Sequence, residues 1–190
     1  LIAIVGHRDP KPEYIPQIIQ QFEESIRIIQ GNIPDSPLWL MTGLAEGADQ
    51  IAAKTFLEII ENDKYHNNFH KLVSVLPKSE AEYIRDFESK SSRENYEYLL
   101  RKSDIIISPE TNNLLKGDLP VIIPSPDCYA RQTCFLIRYC YVLMAFSNGV
   151  ENNEIGGTAQ SIMIQRGKVP SAFQSVDEIV ATREPGALIE

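Results

Sequence analysis

Short apolar runs alternate with amphipathic segments along this chain of 190 residues. Runs of four or five large apolar residues that end at glycine, proline or a polar residue are typical of buried strands. They predict five strands and the beginning of a sixth at the end of the sequence. These strands are Leu1 to Val5, Leu38 to Met41, Leu72 to Leu76, Asp104 to Ile107, Tyr141 to Phe146 and Ala187 to Ile189.

Between these runs, apolar residues recur every three or four positions, which predicts helices with one buried side. The first helix begins at Ile15 and ends at Gly31-Asn32. Leu119 to Ile123, within a long loop, is interpreted equally well as a short strand or as a lid segment. The remaining predicted helices are Ala48 to Ile60, Ser79 to Phe87, Ser91 to Lys102, Asp127 to Cys140 and Ala159 to Arg166, with a further turn at Val176 to Val180.

Strands that alternate with helices form parallel βαβ units. The pattern therefore predicts an α/β fold with an open, doubly wound, mainly parallel sheet and helices on both faces. Ligands of such sheets bind beyond the carboxyl ends of the strands, near the point where the strand order reverses. Polar and glycine-rich segments directly follow the predicted strands of this chain. We therefore expect a ligand site at that edge of the sheet.

The longest of these segments is Thr42-Gly43-Leu44-Ala45-Glu46-Gly47-Ala48-Asp49. Gly43 and Gly47 permit a positive φ or a close approach of the backbone to a ligand. The helix that follows offers unpaired N–H groups and a partial positive charge to a phosphate. An ordinary βα loop is an equally open interpretation. Glu46 and Asp49 would repel a phosphate, so we expect them to accept hydrogen bonds from ribose hydroxyls or to hold Arg8. Asp49 is equally well interpreted as a first-turn acid that favours the helix dipole.

Two further strand ends carry candidate ligand-binding residues. Gly156-Gly157-Thr158 precedes a helix and offers two amides without side chains and a hydroxyl group, although a plain capped helix has the same pattern. Gly6 is followed by His7 and Arg8. An arginine binds phosphate through two parallel hydrogen bonds, and a histidine donates to phosphate or stacks on a base. A water-exposed loop pair, with Arg8 bound to Asp9, is the alternative.

The composition is ordinary for a globular domain, with 43% hydrophobic and 23% charged residues, and the length fits a single domain over 1–190. Because the chain opens at Leu1 rather than Met, we expect it to be a piece of a longer protein. The net charge of −8 argues against direct nucleic-acid binding. No run approaches the ~20 apolar residues of a membrane span. Cys128, Cys134 and Cys140 form no CxxC pair and are interpreted as buried thiols of a cytoplasmic protein.

Several familiar site motifs do not occur. The GxGxxG dinucleotide fingerprint is absent after the first strand, and the GxxxxGK[ST] phosphate loop is absent. His66 and His70 are four residues apart, but no third metal ligand accompanies them. We therefore predict neither a metal site nor a cofactor.

The order of the motifs resembles the SLOG superfamily, which is named for Smf/DNA-processing protein A and the "lonely guy" cytokinin-activating enzymes. The resemblance covers roughly Leu1 to Pro170. The matching residues are Val5-Gly6-His7-Arg8-Asp9, Thr42 to Asp49, Val75-Leu76-Pro77, Tyr83, Asp86-Phe87, Ser108, the helix around Tyr129 and Gly156-Gly157-Thr158.

This resemblance implies a Rossmann-like fold that binds a nucleotide or nucleotide-derived ligand above the strand ends. Some members are phosphoribohydrolases, which release a base from a nucleoside monophosphate. Others are sensor domains, several of them linked to anti-phage defence, that bind signals such as cyclic ADP-ribose derivatives. Relatives often pair, so the resemblance also implies a homo-oligomer.

The hydrolases carry a GGxGTxxE motif whose glutamate assists cleavage of the N-glycosidic bond. When Thr158 is aligned with that motif, the glutamate position is Ser161, and its neighbour is Gln160. Neither side chain can act as a carboxylate base. The resemblance therefore implies a ligand-sensing domain in bacterial defence, with Gln160 among the ligand-binding residues. The alternative is a phosphoribohydrolase that uses Glu46, or else Glu154, as its acid.

Overall fold

The fold is seen in a computed structural model that describes most of the chain. The described residues are 1–62, 69–108, 128–147, 149, 157–168 and 187–189. Some sequence predictions lie outside this part: the segments Leu119 to Ile123 and Val176 to Val180, and the residues His66, Glu154 and Gly156.

Within the described residues, six strands form one sheet, and every neighbouring pair is parallel. The order across the sheet is β4-β3-β2-β1-β5-β6. The predicted α/β, doubly wound, Rossmann-like class is therefore confirmed. The strands are β1 (Ile2–Gly6), β2 (Trp39–Thr42), β3 (Lys71–Val75), β4 (Ile105–Ile107), β5 (Val142–Phe146) and β6 (Ala187–Ile189).

The helices follow the predicted positions closely, with one exception. The continuous helix predicted from Ser79 to Phe87 is instead a short α-helix followed by a 3-10 turn over Ile84–Asp86, which is a common way for a helix to end. The backbone is extended at Phe87. The helices are α1 (Ile15–Asn32), α2 (Ala48–Asn62), α3 (Glu80–Tyr83), α4 (Lys90–Lys102), α5 (Cys128–Tyr139) and α6 (Thr158–Gln165), with another 3-10 turn at Pro12–Tyr14.

The side chains of β1 alternate between two apolar clusters, one on each face of the sheet. Ile2 and Ile4 pack in a cluster that contains buried residues of α1, α2, α3 and α4. Ala3 and Val5 pack in the opposite cluster, which contains buried residues of α5 and α6. Because successive strand residues point to opposite faces, a continuous apolar run is what a strand covered on both faces requires.

The strand order reverses next to β1. The chain builds outward from β1 to β4, returns to place β5 on the other side of β1, and ends at β6. The helix after β1 covers one face, whereas the helix after β5 covers the other. The loops that leave β1 and β5 therefore turn apart, and a crevice opens between them.

Two other sequence predictions concern single features. In the described part of the chain, no helix is both long and apolar enough to cross a membrane. Cys134 and Cys140 are buried as predicted, whereas Cys128 is only partly buried.

Candidate functional site

A cavity of about 270 Å³ opens at the carboxyl ends of β1 and β5. It extends between the loop after β2 and the beginnings of α5 and α6, and we call it the strand-edge cavity. Many of the residues predicted from sequence meet there although they are far apart in the chain. Those that line it are Gly6, His7, Arg8, Gly43, Asp49, Gly157 and Thr158.

Four other predicted residues lie elsewhere. Thr42 is fully buried beneath the cavity, and Glu46 and Gly47 face a neighbouring groove. Gln160 is 5% exposed and does not line the cavity, whereas the next residue, Ser161, does. The Ser161 hydroxyl donates to the Gly157 carbonyl at 3.1 Å.

The turn after β2 holds its own carboxylate. Asp49 Oδ2 accepts a hydrogen bond from Thr42 Oγ1 at 3.0 Å, and the backbone N–H groups of Gly43 and Ala45 also donate to this carboxyl group. Thr42 Oγ1 accepts in turn from the Leu44 N–H at 3.1 Å. Asp49 therefore occupies the N–H groups of this turn that were expected to bind a phosphate. Donors to a bound anion have to come from other segments of the cavity.

Asp49 is a buried carboxyl group on the cavity wall, with 5% of its surface exposed. Burial raises its pKa to about 7, although hydrogen bonds from Thr42 and from two backbone amides, together with the nearby charge of Arg8, partly oppose that rise. A carboxyl group that titrates near neutrality can both give and accept a proton.

Two residues of the same turn have left-handed backbone conformations. Leu44 has a φ of 55°, which costs on the order of 1–3 kcal/mol for such a residue. Its carbonyl accepts from Gln50 Nε2 at 3.3 Å, and its side chain is fully buried. Gly47 has a φ of 79°, and a Cβ atom there would lie 2.4 Å from the carbonyl oxygens of both His7 and Arg8. The turn therefore packs tightly against the loop after β1.

Arg8 reaches across the cavity mouth towards two other segments. Its Nη1 donates to the Asp86 carbonyl at 3.4 Å, and its Nη2 donates to Tyr129 Oη at 3.5 Å. The guanidinium carbon lies 5.6 Å from the centroid of the Tyr129 ring. These contacts orient the guanidinium group by weak bonds that a stronger acceptor can replace.

Tyr129 and Lys78 both donate to the Asp86 carboxylate, Lys78 at 2.7 Å. Partial burial raises the pKa of Asp86, but the bonds from Lys78 and Tyr129 outweigh burial and hold the pKa below its ordinary value. Asp86 is therefore ionised at neutral pH. It links the loop after β3 to α5, and through Tyr129 to Arg8.

One wall of the cavity comes from α5. Of this helix, only Tyr129 was singled out from the sequence, through the resemblance to the SLOG superfamily. Tyr129, Gln132 and Thr133 all line the cavity. Gln132 Nε2 donates to the Val75 carbonyl, and a Cβ atom at Gly43 would lie 2.5 Å from that nitrogen. Polar residues at i, i+3 and i+4 in a largely apolar helix were the available signal, because these positions share one helix face.

Glu46, the candidate acid, holds two backbone amides instead of facing the strand-edge cavity. Its Oε1 accepts from the N–H groups of Glu88 at 3.1 Å and Ser89 at 3.4 Å. Glu46 thus joins the turn after β2 to the beginning of α4.

Only one of the two candidate metal-binding histidines lies in the described part of the chain. His66 is not among the described residues. His70 is buried, and its Nδ1 accepts from the Leu38 N–H at 2.9 Å. Over the described ranges, no group of three or more histidine, cysteine or acidic residues could hold a metal ion.

No protein-family model matches this chain, and no curated protein sequence is similar enough to count as a relative. The geometry of the strand-edge cavity therefore carries the functional proposal.

Proposed function

We propose that this chain binds a nucleotide or nucleotide-derived ligand in the strand-edge cavity and acts as a ligand-sensing domain. The observation that carries the proposal is the position of Arg8 at the point where the strand order reverses, which is where open α/β sheets bind ligands. Arg8 is the only lysine or arginine among the described residues of the cavity lining. It would bind the phosphate, with the beginning of α6 at Gly157 and Thr158 on the same lining.

The rest of the cavity suits the base and ribose. Tyr129 offers an aromatic face, and Gln132 and Thr133 offer polar groups that can hydrogen-bond a base edge or a sugar hydroxyl. Tyr83 adds a second ring, whose centroid lies 6.3 Å from that of Tyr129. A largely preformed site with a few polar groups is typical of small-molecule binding.

Sensing is favoured over cleavage because the two carboxylates of the turn after β2, Glu46 and Asp49, are already engaged. Glu46 binds two backbone amides outside this cavity, and Asp49 holds the turn after β2. One observation nevertheless favours a phosphoribohydrolase as the second candidate. Asp49 lines the cavity with a pKa of about 7, which is the range expected of a general acid or base. In that mechanism Asp49, rather than Glu46, would act as the general acid or base in cleavage of the N-glycosidic bond.

A thermal-shift panel followed by chromatography separates the two functions. The panel contains nucleoside monophosphates, NAD, ADP-ribose and cyclic ADP-ribose. A ligand that binds only the native state raises the melting temperature by mass action. A shift with intact ligand supports sensing, whereas release of a free base supports the hydrolase. No shift with any member contradicts nucleotide binding in this cavity.

Replacing Arg8 with alanine is expected to weaken binding of the shifting nucleotide by about 10- to 150-fold. A hydrogen bond to a charged group contributes about 1.5–3 kcal/mol, and each 1.4 kcal/mol is a factor of ten in affinity. Isothermal titration calorimetry measures the change. Arg85→Ala is the matched control, because Arg85 is an exposed arginine on the 3-10 turn near Asp86 and does not line the cavity. Equal affinities for the two variants would remove Arg8 from the proposed site.

A further inference from the structure

Arg8 lines a second cavity as well as the strand-edge cavity. This second cavity, of about 340 Å³, is a groove between α2 and α4. Among the described residues, Arg8 and Asp9 line both cavities. We call it the α2–α4 groove. Its other lining residues include Gln50 and Lys54 of α2 and Ser91 and Asn95 of α4. A group bound to Arg8 therefore has a cavity on either side.

The floor of the α2–α4 groove is held by hydrogen bonds between the two helices. Gln50 Nε2 donates to the Ser92 carbonyl at 3.1 Å, and the Ser92 hydroxyl donates to Gln50 Oε1 at 3.3 Å. Lys54 Nζ donates to Asn95 Oδ1 farther along the same helices. Because helix-to-helix bonds already hold the floor in place, a ligand would not have to order it.

The position of Arg8 between the two cavities is also fixed. The Ala48 N–H donates to the His7 carbonyl at 3.1 Å, and Gly47 packs directly against the carbonyl groups of His7 and Arg8. The backbone of Arg8 therefore cannot shift toward either cavity without displacing the beginning of α2.

The chemistry of the α2–α4 groove differs from that of a phosphate site. Among the described residues, the charged ones that line it are Arg8, Asp9, Glu46, Lys54 and Glu88, which are three acids and two bases. A second phosphate would be repelled by these carboxylates. Carboxylates, serine hydroxyls and an asparagine amide are instead groups that hydrogen-bond the hydroxyls of a sugar.

The volumes of the two cavities also fit a ligand that occupies both. Small-molecule sites have volumes of about 300–1,000 Å³. The strand-edge cavity, at about 270 Å³, is just below this range, and the α2–α4 groove, at about 340 Å³, is near its lower end. Together they provide room for a ligand with two bulky parts joined at Arg8.

We propose that the α2–α4 groove is a second subsite, which binds the sugar of a nucleoside diphosphate sugar whose nucleoside occupies the strand-edge cavity and whose diphosphate contacts Arg8. This inference rests on the proposed function, since it assigns the nucleoside to that cavity. It adds a second cavity and a set of residues, chiefly Lys54, Ser91 and Asn95, that the proposed function does not include.

Calorimetric titration of the whole chain with matched ligands tests the subsite. The probes are AMP, ADP and ADP-glucose, with UMP, UDP and UDP-glucose as a second series. In the series whose monophosphate binds, the diphosphate sugar is expected to bind at least about tenfold more tightly than the diphosphate, which is about 1.4 kcal/mol of added contacts.

A substitution that fills the α2–α4 groove tests whether the tighter binding of the diphosphate sugar comes from this subsite. Ser91 is exposed on the groove, so Ser91→Trp should remove the advantage of the diphosphate sugar and leave AMP or UMP affinity unchanged. Glu97→Trp is the control, because Glu97 is exposed on the same helix but does not line the groove. If Ser91→Trp unfolds early in a melting experiment, Asn95→Ala takes its place, with a smaller loss expected.

The outcomes separate this inference from the proposed function. If a monophosphate binds but the diphosphate sugar is no tighter than the diphosphate, or if the advantage survives in the groove variant, the subsite is overturned while nucleotide binding stands. If neither series binds at all, the proposed function fails and the subsite fails with it.

Discussion

Replacing Gly47 with alanine is expected to lower the free energy of unfolding by about 2–5 kcal/mol. Two costs add at this position. A left-handed conformation costs an L-residue roughly 1–2 kcal/mol, and crowding a packed site costs typically 1–3 kcal/mol. Gly47 has a φ of 79°, and its new Cβ atom would lie 2.4 Å from two backbone carbonyl oxygens, which cannot rotate away as a side chain can. Urea denaturation of the variant and the parent measures the loss.

Gly167→Ala is the matched control for Gly47→Ala. Gly167 follows α6 with a φ of 76°, and its N–H donates to the Ile164 carbonyl at 2.9 Å, which is one bond of a Schellman motif. Nothing lies within 4 Å of a Cβ atom built there. Gly167→Ala therefore carries only the conformational cost, roughly 1–2 kcal/mol. Equal losses in the two variants would contradict the close packing of Gly47 on the loop after β1.

The stability of the protein is expected to fall by about 2–3 kcal/mol between pH 5 and pH 8 because of Asp49 alone. Its pKa is about 7 in the folded state, compared with an ordinary value of 3.8. The folded state therefore binds more protons than the unfolded state between these two values, so raising the pH favours unfolding. The contribution is fully present below about pH 4 and is lost as the pH rises through 7. Urea denaturation across this range measures it.

Asp49→Asn isolates this contribution, because asparagine has the same shape and does not titrate. The fall in stability with pH should shrink by about 2–3 kcal/mol in the variant, whatever the other carboxylates contribute. Asp9→Asn removes the same formal charge at an exposed position and serves as the control for the change in net charge. If the pH curves of Asp49→Asn and the parent run parallel, Asp49 is ionised in the folded state and the acid–base role proposed for it is removed.

Both predictions concern the turn that the sequence marks most clearly, and together they change its interpretation. Gly47 was expected to permit a positive φ or a close approach of the backbone to a ligand. Its φ is positive, at 79°, and the backbone that it approaches is the loop after β1. Asp49 was expected to contact ribose, to hold Arg8 or to favour the helix dipole. Its carboxylate accepts from Thr42 and two amides of its own turn. The turn therefore positions the neighbouring loop, and Arg8 on that loop faces both cavities.

The sequence alone could not predict the roles of Gly47 and Asp49, and the reason is physical. A positive φ and a close approach of two backbones both call for glycine, so the residue type does not say which partner approaches. A carboxylate beside a set of N–H groups can repel an incoming anion or occupy the site itself. Which of these occurs depends on a rotamer and on distances of a few ångströms. Neighbours from other parts of the chain determine these distances.

The helix α5 gives a second example. Its apolar pattern predicted its existence and nearly its limits, because burying one side of a helix requires a period of 3.6 residues. The same pattern did not show that Gln132 and Thr133 face a cavity. Gln132 and Thr133 are both buried polar residues that line the cavity. A helix face that packs on a neighbouring element and a helix face that lines a ligand site have the same period of 3.6 residues, so the period does not distinguish them.

The sequence by itself determined the alternation of strands and helices, the two-sided burial of the sheet and the edge at which polar residues collect. These follow from local periods and from the places where apolar runs stop, which depend on neighbouring residues in the chain. Only the tertiary structure decided that β5 lies beside β1, that Arg8 lies between two cavities and that Glu46 faces the α2–α4 groove. These features are contacts between segments distant in the chain, and packing of the whole fold selects them.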